Sequence, residues 1–345
     1  MNENLTLAAK QVKATYAAYS LNKVERLNSS SGGIFSLLSR SILTDGGVVY
    51  GVAMSDDCTR AEFSRVTNLE DLSKLRSSKY LQTYVGNTFK QVKQDLENGL
   101  NVLFSGTGCH INGLVRYLGA GHDRCFVESK YSNLFCVDVI CHGTPSPALW
   151  REYVKYVESG YGSSLYNVNF RCKDNDWHDF GMKLFLTDGS SVYIPKNKDP
   201  FMLMFLRNYC LRLSCYECKA KEFKLSDLTI ADFWGIDKIA PEMADGKGTS
   251  LILIRTEKGE RLLQSISDKL TLKSMTYEEG IADNPVEYRS SLRPSERDSF
   301  FKDLREMSFD ELIKKYAVPT PVPFSQKMKK VIKMMLVKAG LYRKD

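Results

Sequence analysis

The chain has 345 residues, 43% of them hydrophobic and 26% charged, which suits a folded protein with one large core or two subdomains and excludes a disordered chain. Its charge of +7 is local: residues 325–345 hold seven Lys/Arg and one Asp, so the other 324 residues sit near +1 and no nucleic-acid partner is expected. No stretch reaches the roughly 18 uninterrupted apolar residues of a membrane span and no basic-then-apolar leader opens the sequence, so a cytoplasmic location is expected.

From Gly33 the texture alternates. "GGIFSLLSRSIL" reads as a helix, "GVVYGVAM" as a strand, "NTFKQVKQDLENG" as a helix closed by Gly99, and "NVLFS" as a buried strand. A helix at "CHINGLVRYL", a strand at "NLFCVDVIC" and a helix from Pro147 to about Glu158 follow, the last with Ser146 as N-cap. Strands alternating with helices predict an α/β fold whose N-terminal half holds a mixed, largely parallel sheet. After Gly160, "LYNVNFRCK", "FGMKLFLTDGSSVYI" with its DG turn and "SDLTIADFWGI" read as strands with at least one hairpin, giving an α+β C-terminal half. A helix at 199–209, a strand at "SLILIRT" and a helix from Lys258 complete it, and "AVPTPVPF" at 317–324 is an extended proline-rich spacer.

Nine cysteines, an odd number, do not suggest a disulfide framework in a reducing compartment; metal, cofactor or burial accounts for them. Cys210, Cys215 and Cys218 have the spacing C-x4-C-x2-C, and a CxxC pair can bring two thiolates to one metal site. Cys109 and Cys141 each end a buried strand before a helix, at the carboxyl edge where open parallel sheets bind ligands. Four such sulfurs suit a zinc tetrahedron or a 4Fe-4S cluster, and spacing alone does not decide. Cys58, Cys125, Cys136 and Cys172 read as buried or incidental. "NSSSGG" at 28–33 and "SGTG" at 105–108 open helices and offer N–H groups and hydroxyls to a phosphate, although Ser and Gly at a helix start are commonplace. "SSKYLQ" adds Lys79 and Tyr80; His142 follows Cys141 as a candidate catalytic proton donor, and His110 follows Cys109. Arg171 and Lys173 on "FRCK" are candidates to hold an anionic substrate group, or are solvated strand-edge charges.

In order, "SSSGGIFS", "GGVVYG", "SKYLQT", "VLFSGTGCHINGL", "VDVICHGTPSPALW", "FRCK", "LRLSCYECKAK" and "SDLTIADFWGI" resemble the beta-subunit family of deazaflavin-coenzyme hydrogenases and dehydrogenases, from about Tyr19 to Thr256. The resemblance implies FAD and one 4Fe-4S cluster. It implies cluster ligands Cys109, Cys141, Cys215 and Cys218, leaving Cys210 a bystander, and FAD contacts from Ser30, Ser31, Gly32, Gly33, Ser78, Lys79, Tyr80, Ser105, Gly106 and Thr107. Asp232 and Trp234 of "ADFWG" would support that site. Residues 1–160 would then be the flavin-binding half and 161–316 the half carrying the cluster loop. The implied activity is a reductase: an external carrier, ferredoxin or reduced deazaflavin, supplies electrons through the cluster to FAD, which passes a hydride to an organic substrate. An external carrier is expected because no cysteine precedes Cys58, where relatives often have a ferredoxin-like module. Gly108 and His110 depart from the proline and glutamine more usual there.

The family includes members from bacterial surface-polysaccharide genes, often beside pyruvyl-transfer enzymes, so a pyruvyl-modified lipid-linked sugar is one implied substrate. In 325–345, Met328, Val331, Ile332, Met335, Leu336 and Ala339 form an apolar stripe flanked by lysines, a pattern suited to the anionic inner membrane face or to a partner subunit. Two other readings stand beside the reductase: an electron-transfer subunit reducing a deazaflavin or a partner enzyme, and a zinc-stabilised non-catalytic module at the membrane.

Overall fold

The structure is a computed structural model that describes residues 3–119, 125–174 and 176–319. The basic segment 325–345 and most of the 317–324 spacer lie outside the described residues. The strands are β1 (Ala14–Ser20), β2 (Val48–Met54), β3 (Ala61–Val66), β4 (Thr83–Tyr84), β5 (Val102–Thr107), β6 (Leu134–Val139), β7 (Leu165–Cys172), β8 (Gly181–Leu186), β9 (Ser191–Pro195), β10 (Leu228–Asp232), β11 (Ser250–Ile254) and β12 (Leu270–Met275).

Nine of them form one sheet in the order β12-β1-β11-β10-β6-β5-β2-β3-β4, and β7-β8-β9 form a second, antiparallel one. The fold is mixed α/β, as expected. The centre of the large sheet is parallel, β10 with β6, β6 with β5 and β5 with β2, while β11, β1 and β12 extend it antiparallel. Strands from both sides of residue 160 therefore share this sheet.

Alternation along the central strands explains its two covered faces. Val49, Leu103 and Val137 point to the side of the Ile34–Thr44 helix, where Leu38 and Ile42 meet them. Tyr50, Phe104 and Cys136 point to the opposite side, against Ile111, Leu114 and Val115 of the Gly108–Tyr117 helix. A third core, with Trp150, Tyr153, Phe170, Met182, Phe201 and Phe205 fully buried, lies between the small sheet and the Pro147–Tyr161 and Pro200–Leu206 helices. Ser146 caps the first of these by accepting from the Ala148 N–H at 3.2 Å. The second ends at Leu206 rather than 209, because Asn208 turns to a φ of 67° and breaks the helical run.

Strand directions decide where chemistry gathers. β2, β5, β6 and β10 end on one edge, and β1 ends there too, since Ala18 pairs with Ser250 and Ser250 with Asp232. The turns after β1, β5, β6 and β10 therefore carry Ser30–Gly33, Cys109, Cys141 and Trp234 out of a common edge.

Candidate active site

At one end of that edge the Ser/Gly turn is sewn into the sheet. The Gly32 N–H donates to Ser250 Oγ at 2.9 Å, the Ser20 N–H to the Gly32 carbonyl at 2.7 Å, and the Ser31 hydroxyl to the Thr249 carbonyl at 2.9 Å. A Cβ at Gly32 would stand 2.4 Å from the Ala18 carbonyl oxygen, so glycine is required by close approach. Gly33 adopts a φ of 89° and starts the Ile34–Thr44 helix.

This turn meets the Ser78–Tyr80 segment. Ser30 Oγ accepts from the Ser78 N–H at 2.9 Å, and the two hydroxyls lie 3.1 Å apart. Burial raises the pKa of the Tyr80 hydroxyl, and the nearby Arg171 charge opposes the rise. Lys79 donates to the Lys74 and Arg76 carbonyls at 2.9 and 2.5 Å, and burial draws its pKa down to about 7. Ser105, Gly106 and Thr107 belong to a different turn, the one over Cys109 and His110.

Arg171 and Lys173 are engaged inside the protein rather than at an open strand edge. Arg171 is 3% exposed, pairs with Asp232 at 3.0 Å, reaches the Ser30 carbonyl at 3.4 Å and stacks 3.8 Å over Phe180. The Lys173 ammonium donates to the Arg26, Ser31 and Lys247 carbonyls at 2.8, 3.1 and 2.8 Å. Burial lowers its pKa to about 7, with the nearby Arg171 and Arg26 charges adding to the fall. The Trp177 indole donates to Asp232 at 3.2 Å and stacks on Trp234 with ring centroids 5.0 Å apart.

The four sulfurs proposed as ligands come from three chain segments. Cys109 is exposed and its sulfur lies 3.1 Å from the Thr107 hydroxyl; Cys141, Cys215 and Cys218 are half-buried. Cys215 Sγ accepts from the Thr144 N–H at 3.4 Å, and the Cys218 N–H donates to Ser290 Oγ at 2.9 Å. Burial pushes the Cys141 thiol up to about 12; Lys221 opposes this and the neighbouring Cys109 and Cys215 charges add to it. Cys215 is raised by burial first and then by Cys218 and Cys109. The four thus share one electrostatic neighbourhood, although among the described residues no three His, Cys, Asp or Glu side chains already stand as a ligand set. Cys58, Cys136, Cys172 and Cys210 are buried in the cores. The side chain of Cys125 lies outside the described residues.

Both histidines beside these cysteines are half-buried, and burial favours their neutral form. His110 Nδ1 accepts from the Thr107 N–H at 3.4 Å, and burial with the Arg212 charge lowers its pKa to about 4. His142 Nε2 lies 2.6 Å from Asn208 Oδ1, and Asn208 Nδ2 donates to the Leu292 carbonyl at 3.1 Å, which leaves Nε2–H as the donor to Asn208. Burial lowers the His142 pKa, so the ring is neutral at pH 7. Phe205 joins the two halves of the site: its ring centroid is 5.3 Å from Tyr80 and 5.2 Å from His142.

Sequence reasoning missed the charges behind the cysteines. Lys221, three residues past Cys218, is 8% exposed and donates to the Cys141 carbonyl at 2.6 Å and to the Val286 carbonyl. Next to it Glu287, with no exposure, pairs with Lys224 and with Arg255 at 2.6 Å. Arg255 Nε continues to Thr229 Oγ1 at 2.9 Å, whose hydroxyl donates to Asp138 at 2.5 Å. Lys221, Lys224 and Arg255 against Glu287 and Asp138 leave one cation in surplus behind the thiols. A lysine three residues after a CxxC was the only local signal.

Residues 99–279 match the family described as the C-terminal region of the beta subunit of coenzyme F420 hydrogenase/dehydrogenase, a span covering more than half of the chain. The chain belongs to this family. The matched span holds Cys109, Cys141, Cys215 and Cys218 together with Arg171 and Asp232. Among solved structures, the F420-reducing nickel–iron hydrogenase complex from Methanosarcina barkeri, studied by xenon derivatisation, contains a chain similar in fold. The TM-score is 0.52 at 16% identity, covering 88% of this chain and 91% of that chain. No curated protein matches the chain in sequence.

The residues fit the cofactors that the family resemblance implies. Arg76 Nε and Arg171 Nε are buried without a hydrogen-bond partner among the described residues, and both lie on segments that meet at Ser30 and Ser78. Two such N–H groups beside two hydroxyls suit an anionic phosphate ester. Four thiols with a surplus cation behind them suit a polyanionic thiolate-ligated centre.

Proposed function

We propose that this chain is an FAD- and iron–sulfur-dependent oxidoreductase that draws electrons from an external carrier and reduces an organic substrate. The observation that carries this reading is the common edge on which Cys109, Cys141, Cys215 and Cys218 gather beside the Ser30–Ser78–Tyr80–Arg171 group, with Phe205 between the two. When bound, a 4Fe-4S cluster would exchange single electrons and FAD would convert them to hydride transfer.

The chain's own residues do the rest. Cys109, Cys141, Cys215 and Cys218 hold the cluster, and Lys221 offsets its negative charge through a short, buried contact to the Cys141 backbone. Ser30–Gly33 and Ser78–Tyr80 would line the flavin site, and Ser105, Gly106 and Thr107 of the β5 turn would add contacts from the cysteine side. Arg171 and Lys173 pin the small sheet onto the Ser/Gly turn, which fixes the floor of that site. His142 is a neutral group whose Nε2–H is taken by Asn208, leaving Nδ1 as its free lone pair. The substrate proposed from the family resemblance is a pyruvyl-modified lipid-linked sugar; the basic amphipathic pattern of 325–345, outside the described residues, supports only its place at the inner membrane face. No helix among the described residues is long and apolar enough to cross a membrane.

A second reading is an electron-transfer subunit that serves a partner enzyme or a deazaflavin, favoured by the likeness to a chain of a multi-subunit hydrogenase complex. Anaerobic reductive titration followed by absorption and electron paramagnetic resonance tests both. Flavin and cluster signals that are reduced in the same protein support the redox reading, and turnover of added substrate without a partner selects the reductase. A protein that takes up no electrons overturns both.

A further inference from the structure

The loop that carries Cys215 and Cys218 packs beside residues 289–297. The Cys218 N–H donates to Ser290 Oγ at 2.9 Å, Asn208 Nδ2 to the Leu292 carbonyl at 3.1 Å and Arg297 Nη2 to the Leu211 carbonyl at 3.0 Å. On the outer side of this junction two large apolar side chains stand in water: Leu292 is 84% exposed and Leu213 56%. Residues 208–219 and 289–298 carry five basic side chains against three acidic ones. Arg293 is spent on Asp298 and Lys219 on Glu222, whereas Arg212 and Arg289 are exposed and have no carboxylate partner among the described residues. Arg212 is close enough to depress His110, the neighbour of Cys109.

Leu213 and Leu292, beside the half-buried thiols, share their two segments with the unpaired Arg212 and Arg289 and with the exposed Glu217 and Glu296, making a small apolar contact in a net basic setting. Redox encounters are of this kind: small in area, steered by charge and quick to dissociate. We propose that the face around Leu213 and Leu292 docks a small acidic electron-carrier protein, with Arg212 and Arg289 as its charge-complementary rim. In the encounter one electron leaves the reduced carrier, which is oxidised, and enters the thiolate-ligated centre, which is reduced; no bond forms and no proton moves. The proposal rests on reading Cys109, Cys141, Cys215 and Cys218 as cluster ligands.

The test uses the full chain, purified anaerobically, and a small acidic bacterial-type ferredoxin as probe. Two quantities are measured: the dissociation constant at low and high ionic strength, and the rate of reduction by reduced ferredoxin beside that by dithionite. Binding that weakens at least tenfold with salt is expected. An Arg212→Glu/Arg289→Glu double variant should be reduced at least tenfold more slowly by ferredoxin at low salt and at an unchanged rate by dithionite. Salt-independent binding, or a double variant that binds and is reduced as the parent is, would overturn the docking face. Failure of the cluster reading shows separately, as absence of iron and no response to dithionite, and the binding constant judges the docking face without a cluster.

Discussion

Glu287 has no exposure and is held between Lys224 at 7% and Arg255 at 3%. Burial alone would raise its pKa, and the Lys224 and Arg255 charges, with the Lys224 hydrogen bond, more than reverse the effect. Glu287→Gln keeps the shape and removes the charge, leaving two buried cations facing a neutral amide. Breaking a buried pair by removing one partner costs roughly 3–5 kcal/mol. At roughly 2.1 cal/mol/K per residue, the melting entropy of 345 residues is about 0.7 kcal/mol/K, so scanning calorimetry at pH 7 should show a fall in Tm of roughly 4–7 °C. The deficit has a pH signature. Lys224 already has a lowered pKa from burial, and losing Glu287 lowers it further. Between that folded value and the unfolded value near 10.4 the unfolded chain binds more protons, so the variant should regain stability as pH rises from 7 toward 10. A fall in Tm of under about 2 °C at pH 7, or a deficit unchanged by pH, would refute the assignment of a compensated buried charge.

Acid should destabilise the protein through the half-buried His110 and His142. His110, at about 4, and His142 have folded pKa values below the unfolded value near 6.5, so their neutral-state stability is complete above that pH and is lost as pH falls through the folded values, measurable as a falling denaturant midpoint. Gly32→Ala should disorder the Ser/Gly turn, because its Cβ meets backbone 2.4 Å away; flavin retention is the readout, and full retention contradicts the close approach. Cys218→Ala should abolish cluster absorption, whereas Cys210→Ala should keep it and show only the cost of a small buried cavity. Deleting 325–345 should abolish binding to anionic liposomes; unchanged binding would remove the support for a membrane-associated substrate.

The alternating strands and helices were legible because their signals are local: two-residue burial alternation, the Ser146–Pro147 start and the glycine stop at Gly99, whose φ is 80°. The neighbours of β1 in the sheet were not, because its pairing with β11 and β12 joins residues more than 200 positions apart. The same distance explains the site. Cys215–Cys218 announce themselves by spacing, and Ser30 and Ser78 by turn chemistry. Arg171 reads as a strand-edge cation only until β7 is folded onto the Ser30 turn and Asp232 comes within 3.0 Å. Lys221, three positions past Cys218, shows no local sign that two distant carbonyls bury it, and Asn208 shows none that it will hold a histidine 66 residues earlier.

Whether the four cysteines and the Ser30–Ser78 site hold redox cofactors is settled most directly by composition. The full chain, purified without oxygen, is examined by absorption and analysed for iron, acid-labile sulfide, flavin and zinc. Coloured protein with iron and sulfide in equal amounts together with FAD is the expected result. Colourless protein that carries zinc alone would contradict it.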